Sequence, residues 1–392
     1  MGKTIRHHGG KTAFSFFSGA GLLDLGFESE GFNIAFVNDI SNRCIEANRH
    51  SRRIMGFPGP QMGYHNCDIR EFLSNGKKEW LSQATKKKMK EGPTGFIGGP
   101  PCPDFSIAGK NKGRKGRYGV LSEIFFKAIS AHRPDFFVFE NVKGLWGTLK
   151  HREFYTEMVS LVSREGYLVT DRIANAIEYG VPQDRYRVIL IGFEEGYLKE
   201  SAIGFISRGK RIEGFPWEAP MRFSTGIMSF PAWPSRNNFS PGKEMMMPPG
   251  VEKEITIQHW FDKNDVGSHP NSNDFFTPRK GIKRMMTVDE GDVSRKSYKR
   301  PHRWRYSPAA CYGNNEVHLH PYLPRRMSVS EALAIQSMPK EYEMPLGEIP
   351  LTDKFRMIGN GVPFLMAKGI AKSVSLFIEG RMGGNGEAGR KA

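Results

Sequence analysis

The sequence predicts an α/β fold: a mostly parallel sheet with helices on both faces, plus a second, smaller and irregular domain. Three observations carry this expectation. Apolar runs of strand length recur at residues 13–17, 34–37, 95–97 and 136–139, and each meets glycines or an acid within two residues. Unbroken apolar runs suit strands covered on both faces, and the helix-period patterns between them suit parallel crossovers. From Glu194 onward the texture shifts to Pro, Gly, Asn, Ser and aromatics, without a long amphipathic helix.

The 392 residues are 39% hydrophobic and 25% charged, a globular composition. Lys and Arg number 57 against 41 Asp and Glu, a net +16 that favours a polyanionic partner through phosphate neutralisation. Residues 295–305, RKSYKRPHRWR, interleave Tyr298, His302 and Trp304 with Arg295, Lys296, Lys299, Arg300, Arg303 and Arg305, a mixture suited to phosphate contact and stacking. The cysteines (Cys44, Cys67, Cys102, Cys311) are too scattered for a metal site and suit a reducing compartment. No apolar run reaches bilayer-spanning length and no signal segment opens the chain, so a cytoplasmic protein without membrane contact is expected.

Taken in order, residues 13–17 form the first strand and enter Ser18-Gly19-Ala20-Gly21, a turn that permits close ligand approach before a helix start. The spacing misses the dinucleotide fingerprint, because Asp24 stands where a third glycine belongs and an acid there repels pyrophosphate. A nucleoside with a cationic or amino head fits better, which disfavours a nicotinamide oxidoreductase. The second strand, 34–37, ends at Asn38-Asp39, where an acid accepts ribose hydroxyls. Ser41 caps a helix over 42–50, and Asp68 follows a short strand, placed to bond a purine amino group. Residues 95–97 open on Gly98-Gly99-Pro100-Pro101-Cys102-Pro103-Asp104-Phe105-Ser106, whose prolines give Cys102 a stiff loop at the ligand-binding edge of the sheet. Ser122 is expected to cap a helix to 131. Residues 135–139 then deliver Glu140-Asn141-Val142, and a carboxylate leaving so apolar a strand should be desolvated with a raised pKa.

A helix over about 152–164 follows. Alternation then puts Gln183, Arg185 and Arg187 on one face as the chain enters a strand, and three long polar side chains on an apolar β element read as ligand contacts. In the second domain, 254–258 is a strand candidate, and the basic, amide and aromatic content suits reading of base edges and phosphates. Ser328-Val329-Ser330-Glu331 has capping-box spacing for a helix to about 337. Residues 355–363 lead into a helix through about 378 with Pro363 at its start, and glycine-rich 380–389 reads as a frayed tail.

Together these blocks resemble, in content and order, the cytosine-5 DNA methyltransferases of bacterial restriction-modification systems, over most of 13–193 and 325–378. FSGAGLLDLGF from Phe17 is similar to the family's S-adenosylmethionine loop, and GGPPCPDFS to its nucleophile block. Phe139-Glu140-Asn141-Val142 is similar to the block whose acid handles cytosine N3 and its amino group, and Gln183-x-Arg185-x-Arg187 to the family's QxRxR block. Gly359-Asn360-x-Val362-Pro363 resembles the segment that completes the cofactor pocket. The resemblance implies a Rossmann-like methyltransferase sheet. It divides the chain into a catalytic, S-adenosylmethionine-binding domain (1–193), a small target-recognition domain (194–339) and a C-terminal segment (340–392) returning to the catalytic domain.

By the same resemblance Cys102, Glu140, Arg185 and Arg187 are catalytic. Phe17, Gly19, Gly21, Leu22, Asp39, Ile40, Asp68, Ile69, Pro100, Leu121, Asn360 and Val362 border the cofactor. Ser106 and Gln183 join the basic residues of 295–305 on DNA, and no metal is implied. The implied reaction is methyl transfer from S-adenosylmethionine to C5 of a cytosine flipped out of a specific double-stranded DNA sequence, through a covalent Cys102–C6 adduct, by a monomer. A cognate restriction endonuclease, if one exists, would be encoded separately. The chain departs from the family at Asp39, often Glu; at 117–121, which lacks a usual acid; and at Ser330, commonly Arg. Two alternatives stand: the same chemistry on transfer RNA, against which the long small domain weighs, and a non-catalytic nucleic-acid-binding protein, against which intact Cys102 and Glu140 weigh.

Overall fold

The structure, a computed structural model, describes residues 10–101, 119–201, 203–277, 281–309, 312 and 316–380. The first half alternates β1 (Thr12–Phe16), α1 (Leu22–Glu28), β2 (Asn33–Asn38), α2 (Asn42–Ile54), β3 (Tyr64–His65), α3 (Asn75–Glu91), β4 (Thr94–Gly98), α4 (Gly119–His132), β5 (Phe136–Val142), α5 (Leu149–Arg164) and β6 (Tyr167–Asn175). A short β7 (Gln183–Asp184) precedes β8 (Tyr186–Glu194), α6 (Glu195–Glu200) and the hairpin β9 (Ile206–Arg208) and β10 (Arg211–Glu213). Beyond it lie α7 (Ile257–Lys263), α8 (Ile282–Met286), β11 (Ser307–Pro308), α9 (Val329–Ile335), α10 (Leu351–Asn360) and α11 (Phe364–Ile378).

Among the described residues the main sheet has nine strands in the order β3-β2-β1-β4-β5-β8-β6-β10-β9. The pairs from β3 through β5 are parallel, whereas β8 runs antiparallel to both neighbours. The period of two along each strand sorts side chains into two layers. Ala13, Ile34, Val37, Phe136 and Val138 pack with Leu23 and Phe27 of α1 and with Met366, Ile370, Val374 and Phe377 of α11. On the opposite face Phe14, Phe16, Phe36, Phe96, Phe137 and Phe139 meet Phe125, Phe126 and Ile129 of α4 and Phe154, Met158 and Val162 of α5. Each fully buried Phe contributes about 1.5–3 kcal/mol, so this aromatic layer accounts for the abundance of Phe in the sequence. Helix α11 lies directly on α1: a Cβ on Gly26 would come within 2.4 Å of the Ala367 Cβ.

The structure corrects several expectations. Ser122 is buried inside α4 and does not cap it. Residues 254–258 are a turn of 3-10 helix followed by α7, with Thr256 accepting from the His259 N–H. Asp24 does not face the ligand edge: it is buried in α1, accepting from Ser15 Oγ at 2.5 Å and Asn48 Nδ2 at 3.0 Å. The stretch Leu351–Ile378 is long and apolar enough to cross a membrane by length and composition, contrary to the expectation from the sequence. It is mostly buried, broken at Gly361-Val362-Pro363, and serves as α10 and α11 of the core.

Candidate active site

The parallel strands β1, β2, β4 and β5 end at one edge, so their following loops gather there. Because β8 is antiparallel, its beginning meets the end of β5, with Val142 opposite Arg187. Glu140 shares a face with Val142, which makes Glu140 and Arg187 diagonal cross-strand neighbours. Arg187 Nε donates to Glu140 Oε1 at 2.7 Å, and both side chains are nearly buried. Burial pushes the Glu140 pKa up, opposed chiefly by Arg187 and then by Arg185. A Cβ on Gly99 would lie 2.6 Å from Glu140 Oε2, so the chain entering the Cys102 loop passes against this carboxyl and needs glycine to do so. Pro100 is buried beside it. Cys102 and Ser106 lie outside the described residues.

The loop after β1 provides a second cluster. Gly19 and Gly21 take left-handed backbone, φ 55° and 83°, and Phe17 does so at 52°. Asp39, at the end of β2, turns back onto this loop, its carboxylate accepting from Gly19 N at 2.9 Å and Ser41 N at 2.8 Å. Burial raises its pKa, against the pull of those two donors. Ile40 is 67% exposed, an apolar surface next to an acid. Asp68 caps the 3-10 turn Ile69–Leu73 by accepting from Arg70 N, while Ile69 is buried in the aromatic core layer against which Phe17 also packs. Phe17 meets Phe125 of α4 at 6.3 Å, and Leu121 lies one turn before Phe125 on the same helix face.

The returning segment closes this cluster from above. A Cβ on Gly361 would stand 2.5 Å from Leu22 Cδ2, and Tyr342 Oη donates to the Ala20 carbonyl at 2.7 Å. Val362 is buried and Asn360 exposed. Two described cysteines make poor nucleophiles: burial pushes the Cys44 thiol up to about 12 and also raises that of Cys67.

Several residues assigned to DNA are spent inside the fold. Gln183 is fully buried and donates to Gln336 Oε1 at 3.0 Å and the Ile335 carbonyl at 3.3 Å. Arg300 is fully buried, its guanidinium on the carbonyls of Val288, Met285, His320 and Leu323, and burial pushes its pKa down to about 10. Arg303 makes a two-pronged bond to buried Glu290 at 2.8 and 2.9 Å, and Lys299 pairs with Glu316. Arg305 is half-buried against the Pro234 carbonyl and Tyr306 Oη, whereas Arg295 and Lys296 are exposed. Arg185, expected to be catalytic, donates to the carbonyls of Gly359 and Gly361, and its charge also acts on Glu140. Gln336, which the sequence reading passed over, is the hub of this buried network. An amide closing the apolar run Ala332-Leu333-Ala334-Ile335 is the signal that could have marked it, since a polar group there needs partners.

The model of the C-5 cytosine-specific DNA methylases matches residues 12–376. The type II methyltransferase M.NmeDI of Neisseria meningitidis serogroup C is 49% identical over 378 residues, covering 96% of this chain and 86% of that one. M.MthTI of Methanothermobacter thermautotrophicus is 29% identical over 368 residues, 93% and 97% of the two chains. Among solved structures, DNMT2 of Spodoptera frugiperda shares the fold, with a TM-score of 0.56 at 15% identity over 93% of this chain and 99% of that chain. The chain belongs to the C-5 cytosine-specific DNA methylase family. It is an S-adenosylmethionine-dependent DNA (cytosine-5-)-methyltransferase acting on double-stranded DNA.

Proposed function

We propose that the Glu140–Arg187 pocket receives a cytosine flipped from the duplex and that Cys102 attacks it there. The observation that carries this reading is the meeting of three features: the buried Glu140 carboxyl, Arg187 at 2.7 Å, and Gly99 at the entry to the Cys102 loop. Neither face of a stacked base is open to a nucleophile, so the base leaves the helix. Cys102 Sγ forms a bond to C6 and the ring electrons make C5 nucleophilic, which is covalent catalysis. Glu140, whose pKa burial raises, holds the proton at N3, and Arg187 steadies the charge that attack drives toward O2. Once C5 is methylated, its proton leaves to solvent and the Sγ–C6 bond breaks.

The loop after β1 fits the cofactor. The open space at Gly19, the Asp39 carboxylate and the exposed Ile40 suit a ribose diol beside an apolar-faced base. Phe17, Gly21, Leu22, Asp68, Pro100, Leu121, Asn360 and Val362 border the same cleft. When bound, S-adenosylmethionine supplies the electrophilic methyl group. In this reading residues 194–339 recognise the target sequence and 340–392 return to the catalytic domain. The enzyme acts as a cytoplasmic monomer and modifies sites that a separately encoded endonuclease would otherwise cut. The relatives' description as type II methyltransferases supports that last point.

Bisulfite sequencing of DNA from cells expressing wild type, Cys102→Ala and Glu140→Ala tests the proposal. Protected cytosines in one sequence context with wild type, and none with either variant, are expected. Full protection by Cys102→Ala would overturn the nucleophile assignment.

A further inference from the structure

Arg185 is 1% exposed, and its Nη2 donates to the Gly359 carbonyl at 2.7 Å and the Gly361 carbonyl at 3.1 Å. Gln336, fully buried just after α9, donates to the carbonyls of Ile358 and Gly361 and accepts from Gln183 at 3.0 Å. Its own carbonyl accepts from the Phe364 N–H at 2.9 Å. The last turn of a helix leaves carbonyls without intrahelical donors, and a cation there is favoured by the helix dipole as well. Helix α10 ends at Asn360, so Arg185 and Gln336 supply the donors its end lacks. Gly361 in turn abuts Leu22 of the glycine loop.

We propose that Arg185 is a positioning residue for the cofactor and not a contact to DNA. Together with Gln336 it fixes the carbonyls of Ile358, Gly359 and Gly361 and thereby sets Asn360 and Val362 against the Leu22 loop. Arg187, two residues on, bonds Glu140 directly, while Arg185 acts on that carboxyl through its charge. The planar guanidinium holds Nη2 between the two carbonyls, whereas a lysine ammonium, though it has three donors, is a compact, strongly hydrated charge on a flexible stem and is less well fixed there. The inference rests on the reading of 359–363 as a border of the cofactor cleft.

The test compares wild type, Arg185→Lys, Gln336→Met and Asp39→Ala in steady-state methylation of plasmid DNA, with KM for S-adenosylmethionine and for DNA measured separately. Filter binding of the same DNA without cofactor accompanies it. Arg185→Lys is expected to raise the S-adenosylmethionine KM about tenfold, the scale of one charged hydrogen bond, with cofactor-free DNA binding unchanged within about twofold. Gln336→Met should shift the same constant the same way by a smaller factor, and it carries the test should Arg185→Lys fail to fold. A double variant combining Arg185→Lys with Gln336→Met should fall short of the product of the two factors, because both act on the same turn and share the Gly361 carbonyl. A fall in kcat at unchanged KM, as a merely structural role would give, or weakened cofactor-free DNA binding, would overturn the proposal. An unchanged S-adenosylmethionine KM in Asp39→Ala would instead overturn the cofactor-cleft reading on which it rests.

Discussion

At Glu140 the chemistry and the stability of the site are the same electrostatic fact. Burial raises its pKa in spite of Arg187 at 2.7 Å. An acid whose folded pKa exceeds its unfolded value binds its proton more tightly when folded, so stability falls as pH rises from the ordinary carboxylate range through the raised value. Glu140→Gln removes that titration. The difference in Tm between variant and wild type should therefore move in the variant's favour from about pH 5 to about pH 8, as thermal melts can show. A pH-independent difference would mean that Glu140 is not the titrating group. In single-turnover assays the same substitution should slow methylation by roughly 10²-fold or more. Glu140 was readable because an acid leaving an all-aromatic strand has few bland explanations. The cations of 295–305 were not, since residue type cannot say whether an arginine meets a phosphate or a carbonyl. Arg300→Met removes the side-chain donor to the carbonyls of Val288, Met285, His320 and Leu323 and should cost about 3 kcal/mol or more in denaturant unfolding. Replacing exposed Arg295 and Lys296 by Ala should leave Tm unchanged but, if the pair meets phosphate, reduce the salt dependence of DNA binding by roughly one ion for each phosphate no longer neutralised.

At the scale of elements, the central strands were readable because both of their faces are buried, which leaves an unbroken apolar run. Helix ends were less so. Ser122 looked like a cap, but the helix begins at Gly119 and the hydroxyl turns inward. Residues 254–258 read as a strand candidate, whereas the Thr256 side chain caps the start of α7. Helix α10 went unread because Pro350 and the Gly359-Asn360-Gly361 run bracket it with turn signals, and the buried Lys354 on it is explained only by a partner 80 positions away, Asp274 at 2.6 Å. The α1–α11 contact offers a direct probe of packing. In Gly26→Ala the new methyl meets the Ala367 Cβ and backbone, neither of which can rotate away. The expected loss is about 1–3 kcal/mol, measured by chemical denaturation, with α11 displaced from the sheet. An unchanged midpoint would show that the two helices are not so closely apposed.

At the scale of the whole molecule, residues distant in sequence converge on one sheet edge. The glycine loop after β1, Asp39 after β2, Gly99 after β4, Glu140 on β5 and Arg187 on the reversed strand β8 arrive there through topology. The chain around α7 is tied to the later segment by buried amides: Asn264 donates to the Met338 carbonyl, and Asn271 exchanges bonds with Met344. Order along the sequence revealed the blocks, but these long-range polar ties leave no local pattern. The account depends on Cys102 attacking the base that Glu140 and Arg187 hold. It is tested most directly by incubating the enzyme with S-adenosylmethionine and duplex DNA containing 5-fluorocytosine, then mapping any denaturation-resistant adduct by peptide mass spectrometry. The account predicts one adduct, on Cys102, absent from Cys102→Ala and formed far more slowly by Glu140→Gln. An adduct of equal yield in Cys102→Ala, or one mapped to another residue, would contradict it.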